Sequence, residues 1–151
     1  MNLEKVKNAL QDLIIRLKDA EEGYREIIKA DVSFLIKTKL ENFANERHQM
    51  RKEIEEQIKT LGATPEVSTS FLGEMHQKLI GLKLNYINDN LPSVVNEIER
   101  GSRVLISDYD SVLELEMPSN INGLLSLQKM KIEKELGQVL EMNERFEAVE
   151  A

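Results

Sequence analysis

The chain has 151 residues, of which 41% are hydrophobic and 31% charged, and its formal net charge is −7 at pH 7. This balance is typical of a soluble helical domain and argues against a nucleic-acid groove binder, since no long basic run offsets the acidic residues. The chain contains no cysteine, which excludes disulfides, thiolate metal sites and cysteine nucleophiles.

The sequence also lacks the usual signals of targeting and of common catalytic motifs. The N-terminal residues MNLEKVKNAL include no apolar stretch of signal-peptide length, and no run approaches the length of a membrane span. No glycine-rich phosphate loop and no G-x-S-x-G motif occurs. We therefore expect a cytoplasmic protein that binds neither membranes nor nucleic acid, and whose partners are a second copy of itself or another protein.

The first predicted helix covers residues 3–30 and begins at Asn2, a residue type that caps helices well. Its apolar residues recur at alternating intervals of four and three, which keeps one helix face turned toward partner helices. They are Val6, Leu10, Leu13, Leu17, Ala20, Tyr24 and Ile27. Because almost no linker follows, we expect this helix and the next to be antiparallel neighbours.

The second predicted helix, residues 32–61, has the same repeat and ends before Gly62, a residue suited to a left-handed cap. Between Phe43 and Met50 the repeat falls on Arg47. A guanidinium on a buried stripe cannot lose its charge, so it needs a carboxylate from another helix. The charged residues later in this helix are expected to form a solvated face; they are Arg51, Lys52, Glu53, Glu55 and Glu56.

Turn residues divide the rest of the chain into three further predicted helices. After a Pro/Ser/Thr-containing loop, a helix over residues 70–88 has a predicted length of nearly 30 Å. Proline-containing turns then precede helices over 92–116 and 121–147. The predicted apolar stripe of the helix over 92–116 is Val94, Ile98, Gly101, Leu105, Asp108 or Tyr109, and Val112. The last helix has Ile121, Leu125, Gln128, Ile132, Glu135, Val139, Met142 and Phe146.

These lengths predict a single all-α domain over residues 1–151. The helix over 70–88 is long enough to carry the chain from one end of a bundle back to the other. The helices over 32–61 and 92–116 would then run parallel, as in the ferritin-like form of the four-helix bundle.

Short motifs in three of the predicted helices resemble a bacterial ferritin-like family that is catalogued only as a domain of unknown function. They are Asp19-Ala20-Glu21-Glu22-Gly23-Tyr24, Ala44-Asn45-Glu46-Arg47 and Glu97-Ile98-Glu99-Arg100-Gly101, and Tyr109 and Gln128 match by position. The resemblance extends over about residues 3–146, implies a ferritin-like bundle and brings no established activity. The family's pattern has a histidine followed by an aspartate in the last helix, where this chain has Leu136-Gly137.

Two interpretations of the polar residues inside the bundle remain open. In the first, Arg47 pairs with Glu135, with Glu21 and Glu97 as reserve partners, in a buried polar layer that fixes the register of the helices. The full predicted layer is Arg47, Glu135, Gln128, Glu21, Glu97 and Tyr24. In the second, iron or manganese binds carboxylates that lie within about 8 Å of one level of the bundle. These are Glu22, Glu46, Glu99 and Glu135.

The spacing of the residues favours the first interpretation. Ferritin-like di-iron proteins use Glu-x-x-His pairs, but here Glu46 is followed three residues later by Gln49, and Glu133 by Leu136. The permanent charge of Arg47 would also repel a dication. We therefore predict a non-enzymatic bundle without a cofactor, which acts in protein interaction through its acidic exterior or in a stress response associated with its fold. The alternative is a ferritin-like metalloprotein that binds iron or manganese.

Overall fold

The computed structural model describes residues 1–29, 32–67 and 91–150, and all regular structure within these ranges is helical. The helices are α1 (Leu3–Ile28), α2 (Phe34–Thr60), α3 (Leu91–Leu113) and α4 (Ser119–Glu150). They agree with four of the five predicted helices apart from a few residues at the ends. The prediction of a helix over 70–88 lies outside the described residues.

Side-chain and backbone caps at three helix ends explain where those ends fall. The Asn2 side chain accepts a hydrogen bond from the backbone N of Lys5, and Ser33 accepts one from the backbone N of Ile36. Gly62 follows α2 with a φ of 83°, the left-handed conformation that glycine adopts without strain. The next backbone N–H, that of Ala63, donates to the carbonyl of Ile58, which is the pattern of a Schellman cap.

Contacts between α2 and its two neighbours show that both neighbours run antiparallel to it. Toward α1, Glu21 pairs with Arg51, whereas Arg25, one turn later, binds Asn45 earlier in α2. Toward α4, Asn120 binds Gln57 near the end of α2. Further along α4, Glu135 pairs with Arg47, earlier in α2. Thus α1 and α4 point in the same direction.

Helix α3 runs antiparallel to α1. The N-terminal amine of Met1 lies 3.8 Å from Glu116, just beyond the end of α3, and Arg16 lies 3.5 Å from Asp108, earlier in that helix. Since α2 and α3 are both antiparallel to α1, they run in the same direction. The four helices are consistent with a four-helix bundle. Within the described ranges, no helix is both long enough and apolar enough to cross a bilayer.

The buried apolar side chains form two clusters, one toward each half of the bundle. The first includes Val6 to Leu17 of α1 and Met50 to Ile58 of α2. The second includes Tyr24, Phe43 and Val139. The stripe of α3 differs from the prediction at one position, because Ser102 is buried and Gly101 is exposed. Of the two predicted alternatives Asp108 and Tyr109, Tyr109 occupies the core position.

Candidate functional site

A level of polar residues separates the two apolar clusters on three of the helices. Arg47 lies between Phe43 and Met50 on α2, and Glu135 occupies the corresponding place on α4, between one cluster and the other. On α3 this place belongs to Ser102, which is buried. We call these three residues, Arg47, Ser102 and Glu135, the polar layer. The apolar core is therefore interrupted, at one level along the bundle axis, by charged and polar side chains.

Arg47 and Glu135 form an ion pair across the interface of α2 and α4. Arg47 Nη1 lies 2.9 Å from Glu135 Oε2, and their side chains are 1% and 9% exposed. Among the described residues, Arg47 Nε and both carboxylate oxygens of Glu135 have no partner with hydrogen-bond geometry. The two groups are therefore held by the proximity of opposite charges in a medium that screens them poorly.

Aromatic and sulfur atoms enclose the rest of the Arg47 guanidinium. Its central carbon lies 5.8 Å from the centroid of the Tyr24 ring, a distance at which the ring face attracts a cation. The Tyr24 ring in turn packs at 5.9 Å against the ring of Phe43. Arg47 Nη1 also lies 4.0 Å from Met50 Sδ. These contacts fix the guanidinium on the core side of α2.

A hydrogen-bonded chain adjoins the polar layer and connects α3 to α4 and α2. The Tyr109 hydroxyl donates to Gln128 Oε1 at 2.6 Å, and Gln128 Nε2 donates to the Met50 carbonyl at 3.1 Å. Burial raises the pKa of the Tyr109 phenol well above its ordinary value of 10.0; Arg47 opposes this rise and Glu53 adds to it. The phenol is therefore a neutral donor at physiological pH.

A second buried set of charges lies one turn from Arg47 and joins α2 to α1. We call Glu21, Arg51 and Glu55 the Arg51 network. Arg51 Nη2 lies 3.2 Å from Glu21 Oε1, and Arg51 Nη1 lies 3.3 Å from Glu55 Oε1. All three residues are buried. The prediction that Arg51 and Glu55 belong to a solvated face is therefore wrong.

The carboxylate of Glu21 lies close to basic side chains of both α1 and α2. Arg25 Nε lies 3.2 Å from its Oε2, and the half-exposed His48 has Nδ1 at 3.3 Å from the carboxylate. Burial alone would raise the pKa of Glu21, but the hydrogen bonds from Arg51 and Arg25 and the charges of Lys18 and His48 outweigh burial and hold the pKa below its ordinary value of 4.5. Glu21 is thus an ionised carboxylate inside the bundle.

The structure places the remaining residues of the predicted layer apart from Arg47. Glu21 belongs to the Arg51 network, and Glu97 is half-buried and pairs with Arg100 on its own helix at 2.9 Å. Gln128 contacts Tyr109 and α2, as described above. Of the predicted set, Glu135 and Tyr24 are the residues brought against the guanidinium.

Each carboxylate of the alternative metal set has a cation of its own. The pairs are Glu22 with Lys18 at 3.3 Å, Glu46 with Lys131 at 3.4 Å, Glu99 with Arg103 at 3.5 Å, and Glu135 with Arg47 at 2.9 Å. In the part of the chain that the structure describes, no group of three or more His, Asp or Glu side chains has an arrangement that could hold a metal ion.

The comparison with known proteins identifies a family. Residues 5–115, more than half of the chain, match the family described as "Domain of unknown function (DUF2383)". No curated protein matches the chain significantly. The matched range includes α1 from its third residue and all of α2 and α3, and with them Arg47 and the Arg51 network.

Proposed function

The chain belongs to the family described as "Domain of unknown function (DUF2383)", and we propose that it is a non-enzymatic, ferritin-like four-helix-bundle protein. In this proposal, buried arginine–carboxylate pairs occupy the part of the bundle in which ferritin-like metalloproteins hold two metal ions. Residues 1–151 form one such domain. The parallel course of α2 and α3 supports the ferritin-like connection, because the chain must travel the length of the bundle between them.

The observation that carries the proposal is the ion pair between Arg47 and Glu135. The guanidinium is charged at every accessible pH and is 1% exposed, so its charge must be balanced within the bundle. Glu135 supplies this balance from the facing helix. A divalent cation at the same level would face the repulsion of the guanidinium and would compete with it for the carboxylate.

The Arg51 network, one turn further along α2, supports the same interpretation. Arg51 pairs with both Glu21 and Glu55, two buried carboxylates that would otherwise be available as metal ligands. The buried arginines of α2 thus bind carboxylates of α1, α2 and α4. We propose that their role is to fix the register of these helices, a use of buried polar groups known from other helical assemblies.

The exterior of such a bundle is then the surface through which it acts. The chain carries 27 acidic and 20 basic side chains, which gives the net charge of −7. We propose that this acidic exterior recognises protein partners within the cytoplasm, since complementary charge speeds association and selects partners.

Metal analysis of the purified protein tests the proposal against the metalloprotein alternative. The protein is expressed with iron and manganese supplied and dialysed, and its metal content per chain is then measured by mass spectrometry. We expect far less than one equivalent. Two equivalents of iron or manganese per chain would overturn the proposal. In that case Glu135→Gln should lose metal and Glu41→Gln, a change at an exposed position of α2, should retain it.

A further inference from the structure

A cleft of about 510 Å³ lies between α1 and α3, apart from the polar layer. Its volume is within the range of small-molecule sites, which are about 300–1,000 Å³. The apolar part of its lining includes Leu13, Val112 and Leu115, and the polar part includes Asp12, Arg16 and Asp108. The cleft therefore combines apolar walls with a small number of charged groups, as ligand sites commonly do.

The side chain of Asp108 lines the cleft and is 31% exposed. Its Oδ2 is shielded from solvent and accepts no hydrogen bond from the described residues. Arg16 Nε lies 3.5 Å from this oxygen, beyond the 2.7–3.2 Å of ordinary N–H···O bonds. Arg16 therefore interacts with this carboxylate through charge rather than through an ordinary hydrogen bond, and the exposed part of the Asp108 side chain is accessible to a cation in the cleft.

The charges at the cleft favour a positive ligand. Asp12 and Asp108 supply two carboxylates, and Arg16 supplies one guanidinium. Burial raises the pKa of Asp108, Arg16 opposes this rise, and the negative charge of Asp12 adds to it. An anion would meet two carboxylates, whereas a cation would relieve their repulsion.

We propose that this cleft binds a small amphipathic cation, namely an ammonium compound with an apolar tail. Its ammonium group pairs with the exposed part of the Asp108 side chain, and its tail lies against Leu13, Val112 and Leu115. This inference goes beyond the proposed function of the bundle and uses none of the residues of the polar layer. It stands or falls independently of the metal analysis.

The test compares three probes that share one tail: octylammonium, octanol and octanoate. Binding to the full chain is followed by the methyl NMR signals of Leu13, Val112 and Leu115. We expect octylammonium to shift these signals with the lowest Kd of the three probes. Asp108→Asn should raise that Kd about tenfold or more, the effect of losing a hydrogen bond to a charged group. Asp110→Asn is the matched control, because Asp110 lies on the same helix, pairs with Lys129 and does not line the cleft.

Equal affinity for octanol or octanoate would overturn the proposal, as would an unchanged Kd in Asp108→Asn. If Asp108→Asn fails to fold, Ser111→Trp provides the second test. Ser111 is exposed and lines the cleft, so the indole would fill the cleft without entering the core. Octylammonium should then cause no shift at Leu13, and an unaltered shift there would contradict the site.

Discussion

Arg47 and Arg51 lie one helical turn apart on α2, and each is buried against a carboxylate of a different neighbouring helix. Arg47 pairs with Glu135 of α4, and Arg51 pairs with Glu21 of α1. Both neighbours run antiparallel to α2, so a sliding movement of either helix would separate a buried pair of charges. Apolar packing alone tolerates such shifts better, because it depends little on direction. The two arginines therefore specify the axial positions of α1 and α4 relative to α2.

The first prediction concerns the Arg47–Glu135 pair. Arg47→Met or Glu135→Leu alone should lower the free energy of unfolding by about 3–5 kcal/mol, because each leaves an uncompensated buried charge. The double variant should be close to the unaltered protein, since both charges are replaced by apolar groups. Urea denaturation of the four proteins measures the coupling between the sites.

Lys131 and Glu46 form the matched control pair, because they connect the same two helices at 3.4 Å with side chains 55% and 32% exposed. Their removal should change the free energy of unfolding by at most about 1 kcal/mol, as is usual for surface pairs. Purely additive effects at Arg47 and Glu135 would show that they do not stabilise each other.

The second prediction compares two arginines that bind the same carboxylate. Arg51→Met should destabilise the protein by about 3–5 kcal/mol, because Glu21 and Glu55 would face each other without the buried cation. Arg25→Met should cost at most about 1 kcal/mol, since the Arg25 side chain is 43% exposed and its charge is screened. Thermal and urea unfolding of both variants measures the difference. Equal losses would mean that burial does not govern the strength of these pairs.

Periodicity was sufficient to predict four helices and to identify Arg47 as a residue on a core-facing stripe. The four-three repeat reports which face of a helix is covered, and Arg47 lies on this face among apolar residues. The repeat does not show whether charged residues beside the apolar stripe are buried or exposed. Arg51 and Glu55 occupy such flanking positions within a run of charges that is typical of a solvated surface. Their burial depends on Glu21, which is 30 residues away in sequence.

A signal for the Arg51 network was nevertheless present on α1. Glu21 follows the fully buried Ile14 by seven residues, which places both on one side of the helix. On α3, the prediction failed at Gly101 because glycine was counted as a core residue, whereas the spacing from Ile98 to Leu105 fits Ser102 equally well. Small residues carry too little hydrophobic information for periodicity to distinguish such neighbours.

The third prediction concerns acid. The pKa of Glu21 is lower in the folded protein than its ordinary value of 4.5, so its contribution to stability is present above that value. This contribution is lost as the pH falls through the folded-state pKa. Glu21→Gln cannot titrate, and its deficit in stability relative to the unaltered protein should shrink as the pH falls below 4.5. Glu56→Gln, at an exposed pair with Lys59, is the control. Denaturation across the acid range measures both deficits, and a constant deficit for Glu21→Gln would contradict the prediction.

The fourth prediction uses two glycines in opposite conformations. Gly137 is exposed within α4, and a Cβ added there would meet nothing within 4 Å. Gly137→Ala should stabilise the protein by about 1 kcal/mol, the difference in helix propensity. Gly62 has a φ of +83°, so Gly62→Ala should be destabilising although its Cβ would also meet open space. Thermal unfolding distinguishes the two, and a loss of stability in Gly137→Ala would show that something approaches that face of α4.

The last prediction concerns the buried hydroxyl of Tyr109. At neutral pH, Tyr109→Phe should cost about 1–3 kcal/mol of stability, because Gln128 Oε1 loses its donor inside the bundle.

The stability that Tyr109 contributes should also depend on pH. The pKa of this phenol is raised above 10.0 in the folded state, so between the unfolded and folded pKa values the native state retains a proton that the unfolded state releases. Stability from this group is therefore complete below pH 10.0 and falls as the pH rises above it, by at most about 1.4 kcal/mol per pH unit. Tyr109→Phe has no such group, so its loss of stability relative to the unaltered protein should become smaller as the pH rises. Tyr24→Phe is the matched control, because it also removes one tyrosine but leaves the hydrogen bond between Tyr109 and Gln128 intact. A deficit for Tyr109→Phe that stays constant through the alkaline range would mean that the hydroxyl is accessible to water rather than enclosed.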